Sequence, residues 1–299
     1  MQLRSLANLA GMVSIFLWGA LALFTRETEG MIPPFQLLAM TFSLAFLLMA
    51  LRWWWRGETG LRYLRQPRLA WVLGVGGYFG YHFCYFLAMQ KAPAVEVSLL
   101  AYLWPLLIVL FSALLPGERL AAGHVIGALI SLAGCWLLLG DGEAGFDSQY
   151  LPGYLLAGSC ALIWSGYSVS GRFVRQVPTD AVGWFCAVTA LLGLGCHLLL
   201  EETYWPLTTG QWLAVLGLGL GPVGIAFFTW DYAVKRGDLQ LLGVLSYAAP
   251  LISTLLLLLV GQAESSLSLW LACGAIVSGA FIASRARRQS PSDSVKEAA

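Results

Sequence analysis

The chain has 299 residues, 59% of them hydrophobic and 11% charged, with a mean hydropathy of +0.74 and a formal net charge of +1. A soluble domain carries roughly 25% charged residues, so this chain cannot solvate its own surface and most of that surface must face lipid. The six cysteines lack CxxC spacing and no HExxH, P-loop or GxSxG sequence is present, so the residues offer no zinc framework, metalloprotease, hydrolase or ATPase chemistry.

A spanning helix needs about 20 mostly apolar residues. Ten such stretches are predicted, near 6–26, 33–52, 69–90, 93–115, 119–139, 150–173, 178–200, 209–234, 238–260 and 268–285. The first follows Arg4 and holds Trp18; Ala20-Leu21-Ala22 near its end resembles a signal-peptide cleavage site. Trp18 has a counterpart in the sixth stretch, however, so the run reads as a retained helix. The second ends in Trp53-Trp54-Trp55, an interfacial belt. The third contains Gly74, Gly76, Gly77 and Gly80, then Tyr78, Tyr81, His82 and Tyr85 at i, i+3, i+4 and i+7, which places those four on one helical face. Phenols and an imidazole at mid-depth need hydrogen-bond partners, so the stripe is either an interhelical seam or the wall of an aqueous cavity.

The fourth stretch carries Glu96 one turn in, five residues after Lys91, and then Tyr102, Trp104 and Pro105. Glu96 reads as a snorkelling acid, a partner of Lys91 or a coupling group. Tyr102 and Trp104 lie about 200° apart on an ideal helix, so one of them is expected to be packing. The sixth holds Trp164. The eighth contains Gly217, Gly219, Gly221, Pro222 and Gly224, and Asp231 with Lys235 at i+4 near its end reads as an ordinary helix-end ion pair. The ninth holds Tyr247 and Pro250. A mid-helix proline deletes a backbone hydrogen bond, and the freed carbonyl survives in lipid only where protein or a wet cavity satisfies it. Gly76/Gly80 and Gly217/Gly221 have GxxxG spacing, which fits tight packing or a flexible helix.

An offset of 145 positions aligns Pro105 with Pro250, Tyr102 with Tyr247, Leu106 with Leu251, Ala88 with Ala233 and Lys91 with Arg236; Trp18 aligns with Trp164 at 146. The predicted fold is therefore all-α, a polytopic membrane protein of ten transmembrane helices built as an inverted five-plus-five repeat. Residues 1–145 form the first repeat and 146–299 the second, together one transport domain. With the N-terminus inside, fifteen Lys and Arg fall inside: Arg4, Arg52, Arg56, Arg62, Arg65, Arg68, Arg119, Arg172, Arg175, Lys235, Arg236, Arg285, Arg287, Arg288 and Lys296. Only Arg26 and Lys91 fall outside, with the acids Asp141, Glu143, Asp147, Glu201 and Glu202, so the positive-inside rule places both termini in the cytoplasm.

The candidate substrate site is Trp18, Tyr78, Tyr81, His82, Tyr102, Trp104, Trp164 and Tyr247, all near mid-membrane. Gly76, Gly80, Pro105, Gly221, Pro222 and Pro250 are the candidate gating or hinge positions, and His82 and Glu96 the candidate proton-coupling groups. No lysine or arginine lies at mid-depth to hold a multivalent anion. The residues alone describe a transporter of a neutral, partly apolar solute, with a facilitative channel as the alternative. No cofactor, metal or nucleic acid is expected, and the chain is expected to act as a monomer.

Ala101-Tyr102-Leu103-Trp104-Pro105-Leu106, Ile163-Trp164-Ser165-Gly166-Tyr167-Ser168, Trp230-Asp231-Tyr232-Ala233 and Ser246-Tyr247-Ala248-Ala249-Pro250 carry a resemblance, with Pro116-Gly117-Glu118-Arg119-Leu120 and the small-residue run Gly127…Gly134. They resemble the drug/metabolite transporter superfamily, and within it the aromatic amino acid exporter branch. The superfamily pattern covers nearly the whole chain; the second repeat departs from Gly-Glu-Arg, reading Gly261-Gln262-Ala263-Glu264. The resemblance implies export of aromatic and other neutral amino acids or related metabolites across a bacterial inner membrane; exporters of other apolar metabolites or drugs are the alternative.

Overall fold

The computed structural model describes residues 2–27, 31–118, 120–140, 145–261 and 265–286. Arg119, Asp141, Glu143, Gln262, Ala263, Glu264, Arg287, Arg288 and Lys296 lie outside them. Every regular element among the described residues is helical, and ten spans follow in chain order. Span 1 is Gln2–Gly19 continued by Leu21–Glu27, and span 2 is Pro34–Trp55. Span 3 is Arg68–Val75 and Tyr81–Lys91 joined by a π turn at Gly76–Gly80; span 4 is Ala94–Ala101 and Trp104–Ser112; span 5 is Ala122–Leu139. Span 6 is Leu151–Ser170, span 7 is Val182–Leu200, and span 8 is Thr209–Leu218 and Ala226–Arg236 joined by a π segment at Gly219–Ile225. Span 9 is Leu239–Leu245 and Ala248–Leu259, and span 10 is Leu267–Arg285.

Nine of these are long and apolar enough to cross a bilayer among the described residues. Span 6 has the length, 20 residues, but its glycines and serines dilute its hydropathy. Large apolar side chains such as Leu114, 78% exposed, and Leu199, 84% exposed, lie open on and beside several spans, and so much exposed apolar surface belongs in lipid.

The span ends show how the sequence ties the bundle. Pro33 offers span 2 no side-chain cap and Pro34 no N–H. Glu201, just past span 7, supplies the cap instead, accepting from the backbone N–H of Phe35 at 2.9 Å and Gln36 at 3.0 Å. A carboxylate at a helix N-terminus also complements the dipole. Thr208 caps span 8 in a reciprocal box with Gln211, and Ser266 caps span 10.

The packing is two-fold. Span 1 lies against spans 8 and 9 as span 6 lies against spans 3 and 4, and span 2 against span 8 as span 7 against span 3. Spans 2 and 7, 4 and 9, and 5 and 10 pair with each other across the axis. The 2–7 and 5–10 pairs run antiparallel. Gly183 faces Met49 while Gly193 faces Leu38, and Gly127 faces Gly279 while Gly134 faces Ala272 and Ala275. Repeat counterparts that run in opposite directions are what inversion requires.

The 5–10 seam is close because it lacks side chains: a Cβ on Gly134 would lie 2.9 Å from the Ala275 Cβ and 3.0 Å from the Ala272 carbonyl oxygen. Gly134→Val should therefore destabilise by about 1–3 kcal/mol through overpacking. Gly158→Ala, whose Cβ meets nothing within 4 Å, should be neutral. Thermal unfolding in detergent compares the two.

Of the four GxxxG glycines only Gly217 is a close contact, its Cβ position against Phe24. A Cβ on Gly76 would meet nothing within 4 Å, on Gly80 only Ile163 at 3.7 Å, and on Gly221 only Leu17 at 3.6 Å. Other close approaches in these spans include Gly74, against Phe185, and Gly77, against Tyr167. Gly76, Gly80, Gly221 and Pro222 lie within the two π segments, which are irregular backbone rather than contact faces. Pro105 and Pro250 each follow a turn that interrupts the span: both sit in the first turn of the restarted helix, where a missing N–H costs little.

Candidate functional site

A cavity of about 360 Å³ lies between the two halves. Leu21 late in span 1, Pro34 at the start of span 2, Phe86 late in span 3 and Ser98 early in span 4 line its upper part. These ends all lie on the face opposite the start of span 1 and the end of span 10, so the cavity reaches toward that face. Its deeper wall is Trp18, Tyr81, His82, Tyr102, Trp104, Trp164, Pro222 and Phe227. No lining side chain carries a formal charge with His82 neutral.

Both Tyr102 and Trp104 reach the cavity, against the ideal-helix expectation. The turn at Tyr102–Leu103 breaks span 4 between them, so helical angular spacing no longer applies. Tyr78 does not reach it. The π turn shifts the helical register between Tyr78 and Tyr81, leaving Tyr81, His82 and Tyr85 in the wall while Tyr78 is fully buried. The Tyr78 ring stacks on Phe227 at 4.7 Å and its hydroxyl pairs with that of Tyr167 at 2.7 Å. Tyr247 is fully buried too, its hydroxyl accepting from the Leu106 N–H at 3.1 Å. Glu96 is 6% exposed and outside the cavity. Among the described residues it pairs with no lysine; its Oε1 accepts from the Gly145 N–H at 3.1 Å.

The floor is a cluster of rings. Trp18 lies 5.0 Å from Trp230, 5.6 Å from Trp164 and 6.1 Å from Trp104 between centroids, mostly edge-to-face, the favoured arrangement of aromatic quadrupoles. Trp230 is fully buried and its indole N–H donates to Ser168 Oγ at 3.0 Å.

Below the floor the face with the start of span 1 and the end of span 10 is closed by polar contacts. Asp231 accepts from Lys235 Nζ at 2.8 Å and from Thr179 Oγ1 at 2.7 Å, and Lys235 Nζ also donates to the Val177 carbonyl at 3.0 Å. The side chains are 5% and 2% exposed, so the helix-end ion pair that the sequence suggests does form, and it is buried. Arg172 donates to the Lys235 and Gly237 carbonyls, and Arg4 pairs with Asp238 at 2.6 Å.

Polar groups in the cavity are few and specific. His82 Nδ1 sits 2.7 Å from the Tyr78 carbonyl oxygen. A carbonyl only accepts, so Nδ1 carries the proton and Nε2 of the neutral ring is left as an acceptor. The Tyr81 and Tyr102 hydroxyls and the Trp104 and Trp164 indole N–H groups make no hydrogen bond to another described residue. Trp18 is occupied, its indole N–H donating to the Pro222 carbonyl at 3.1 Å. Pro105 leaves the Ala101 carbonyl without its helical donor, and the Leu106 N–H serves Tyr247 instead of the Tyr102 carbonyl.

Thr41, Phe42, Phe86, Ser98, Leu218, Val223 and Phe227 also line the cavity and were not singled out from sequence. Phe227 had a signal: it is the counterpart of His82 at the offset of 145. The others had none, being ordinary apolar or small residues of apolar helices.

The sequence profile of the EamA-like transporter family matches residues 5–140 and again 151–285. A protein of Ancylobacter novellus named aromatic amino acid exporter YddG is 54% identical over 288 residues, covering 96% of this chain and 99% of that one. Proteins of the same name from Salmonella typhimurium and Escherichia coli are 29% and 25% identical, over 88% and 96% of this chain and 92% and 99% of theirs. A crystal structure 54% identical in sequence superposes with a TM-score of 0.90, covering 94% of this chain and 96% of that one.

Proposed function

Because the chain belongs to the EamA-like transporter family, we propose that it exports aromatic and other neutral amino acids from the cytoplasm by alternating access. The observation that carries this reading is the cavity itself, walled by aromatic rings and closed below by a ring cluster. Its volume lies at the low end of the roughly 300–1,000 Å³ of small-molecule sites. Rings of Trp104, Trp164 and Tyr81 offer faces and edges to an aromatic side chain, each such pair contributing about 0.5–1.5 kcal/mol. His82 Nε2 and the freed carbonyls accept from an ammonium group, and the tyrosine hydroxyls and indole N–H groups donate to a carboxylate. A zwitterion is thereby satisfied without a counter-charge, whereas a multivalent anion is not. A continuous channel is disfavoured by the closed floor. The close relative's name supports the same substrate class. Cells expressing the chain and fed a phenylalanine-containing dipeptide should release phenylalanine faster than control cells; equal release would sink the assignment.

The bias of Lys and Arg toward one face supports an orientation with both chain ends cytoplasmic, so that the observed cavity opens outward. Thr59→Cys should resist an impermeant thiol reagent in intact cells and Ser148→Cys should react; the reverse would invert the topology. Thr59 suits the probe because Gly60, at φ 74° and against the Trp53 ring, has no room for a side chain.

The broken spans 3, 4, 8 and 9 supply the hinges in this reading. Pro105→Ala and Pro250→Ala, by restoring a helical donor, should slow transport several-fold at unchanged amounts of folded protein. Wild-type rates in both would mean that the prolines only shape the bundle.

A further inference from the structure

The two-fold packing gives most residues a counterpart, and two counterpart pairs are used differently. Tyr247 is fully buried and its hydroxyl accepts from the Leu106 N–H, tying the second half to the break in span 4. Its counterpart Tyr102 lines the cavity and makes no side-chain hydrogen bond to another described residue. Trp18 donates to the Pro222 carbonyl in the π segment of span 8. Its counterpart Trp164 lines the cavity with its indole N–H unused among the described residues. In each pair one member is tied to the irregular backbone of the opposite half and the other makes no such tie among the described residues. Exchanging the halves produces a second arrangement with the same ties made by the other members: Tyr102 to the Leu251 N–H, and Trp164 to the carbonyl of Gly77, the counterpart of Pro222. The distance to travel is short for the tyrosines, since Tyr102 and Leu106 already pack against the cluster that holds Tyr247 and Leu251.

We infer that these ties trade places between the two open states, and that the counterparts of the present walls form a second, cytoplasm-facing binding wall for the same neutral amino acids. That wall contains Cys186, Trp230, Ser246 and Tyr247, the counterparts of Thr41, Tyr85, Ala101 and Tyr102, all four of which line the cavity now. The inference rests on the alternating-access reading above. It explains why Tyr247, placed at mid-depth by the sequence, is absent from the observed cavity: it belongs to the other wall. It also couples solute release to the transition. A Tyr102 side chain that moves to accept from Leu251 in the other state leaves the present cavity wall, so a solute held through its hydroxyl loses that partner in the transition.

Cys186 is a native reporter, fully buried here and lining the cavity in the second state. In the full-length chain in liposomes, with the other five cysteines replaced by alanine, its alkylation by N-ethylmaleimide measures the cytoplasm-open population. Tyr247→Phe, which removes a tie of the present state, should raise that rate about five-fold, and Tyr102→Phe should lower it by a similar factor, the equivalent of about 1 kcal/mol for one hydrogen bond. Thr41→Cys in a cysteine-free background should move in the opposite sense in each variant, which separates a shift of state from loss of folding, since unfolding raises both rates. Unchanged rates, or both reporters moving together, would overturn the inference. Counterflow of phenylalanine in the same vesicles keeps the readings apart: reciprocal shifts without counterflow retain the exchange and reject the substrate, and counterflow without reciprocal shifts does the reverse.

Discussion

Trp164→Ala should weaken aromatic solutes far more than small ones. Trp164 is the junction of the floor, with ring centroids 5.6 Å from Trp18, 5.7 Å from Tyr81, 5.6 Å from Phe227 and 6.4 Å from Trp104. It also lines the cavity. Removing it takes away a stacking face worth about 0.5–1.5 kcal/mol beyond area burial, and several tens of Å² of apolar contact at about 25 cal/mol per Å². The half-saturation concentration for tryptophan should rise about tenfold or more, and that for threonine about two-fold. Trp164 is 5% exposed, so truncation also opens a void, which Trp164→Phe largely avoids. Initial-rate transport of both solutes by both variants decides it. Equal losses for tryptophan and threonine would mean that the ring supports the bundle without reading the solute.

Lys235→Met should destabilise the folded protein severely, by about 3–5 kcal/mol, because it leaves the Asp231 carboxylate buried without its counter-charge. Asp231 then keeps neutral donors such as the Thr179 hydroxyl, at 2.7 Å, against a whole charge. The double variant Asp231→Leu with Lys235→Met should recover most of the loss, since replacing a buried pair by apolar groups is often neutral. Thermal unfolding in detergent reads both. If the single variant unfolds within a degree or two of the parent, the pair is solvated and closes nothing.

Much of the architecture is written in the chain, and particular residues show why. Spans 2, 5, 7 and 10 are plain apolar runs, and length alone locates them. The repeat was legible because Pro105 and Pro250, with Tyr102 and Tyr247, keep one offset, and inversion followed from an odd number of spans. The candidate site was legible only in part. Trp18, Tyr81, His82, Tyr102, Trp104 and Trp164 line one cavity, because polar-tipped aromatics at depth have few other places to go. Helical periodicity misplaced Tyr78, since a π turn adds a residue that no hydrophobic pattern reveals. The same periodicity set Trp104 against Tyr102, since it assumes the continuous helix that the turn before Pro105 abolishes. Spacing hid the depth of the Asp231–Lys235 pair: i, i+4 is identical for an exposed pair and for one sealed by Thr179 and the Val177 carbonyl from another loop. Glu201 capping span 2 across the bundle had no local signal at all, because the two ends lie 165 or more positions apart.

The proposed function stands or falls on counterflow. Purified protein in liposomes preloaded with unlabelled tryptophan should take up labelled tryptophan in a transient overshoot that saturates with external concentration. Preloading with glycerol should give none. Such trans-stimulation requires one site exposed alternately to the two faces. Uptake that rises linearly with concentration and ignores the internal solute would contradict alternating access and return the protein to the class of channels.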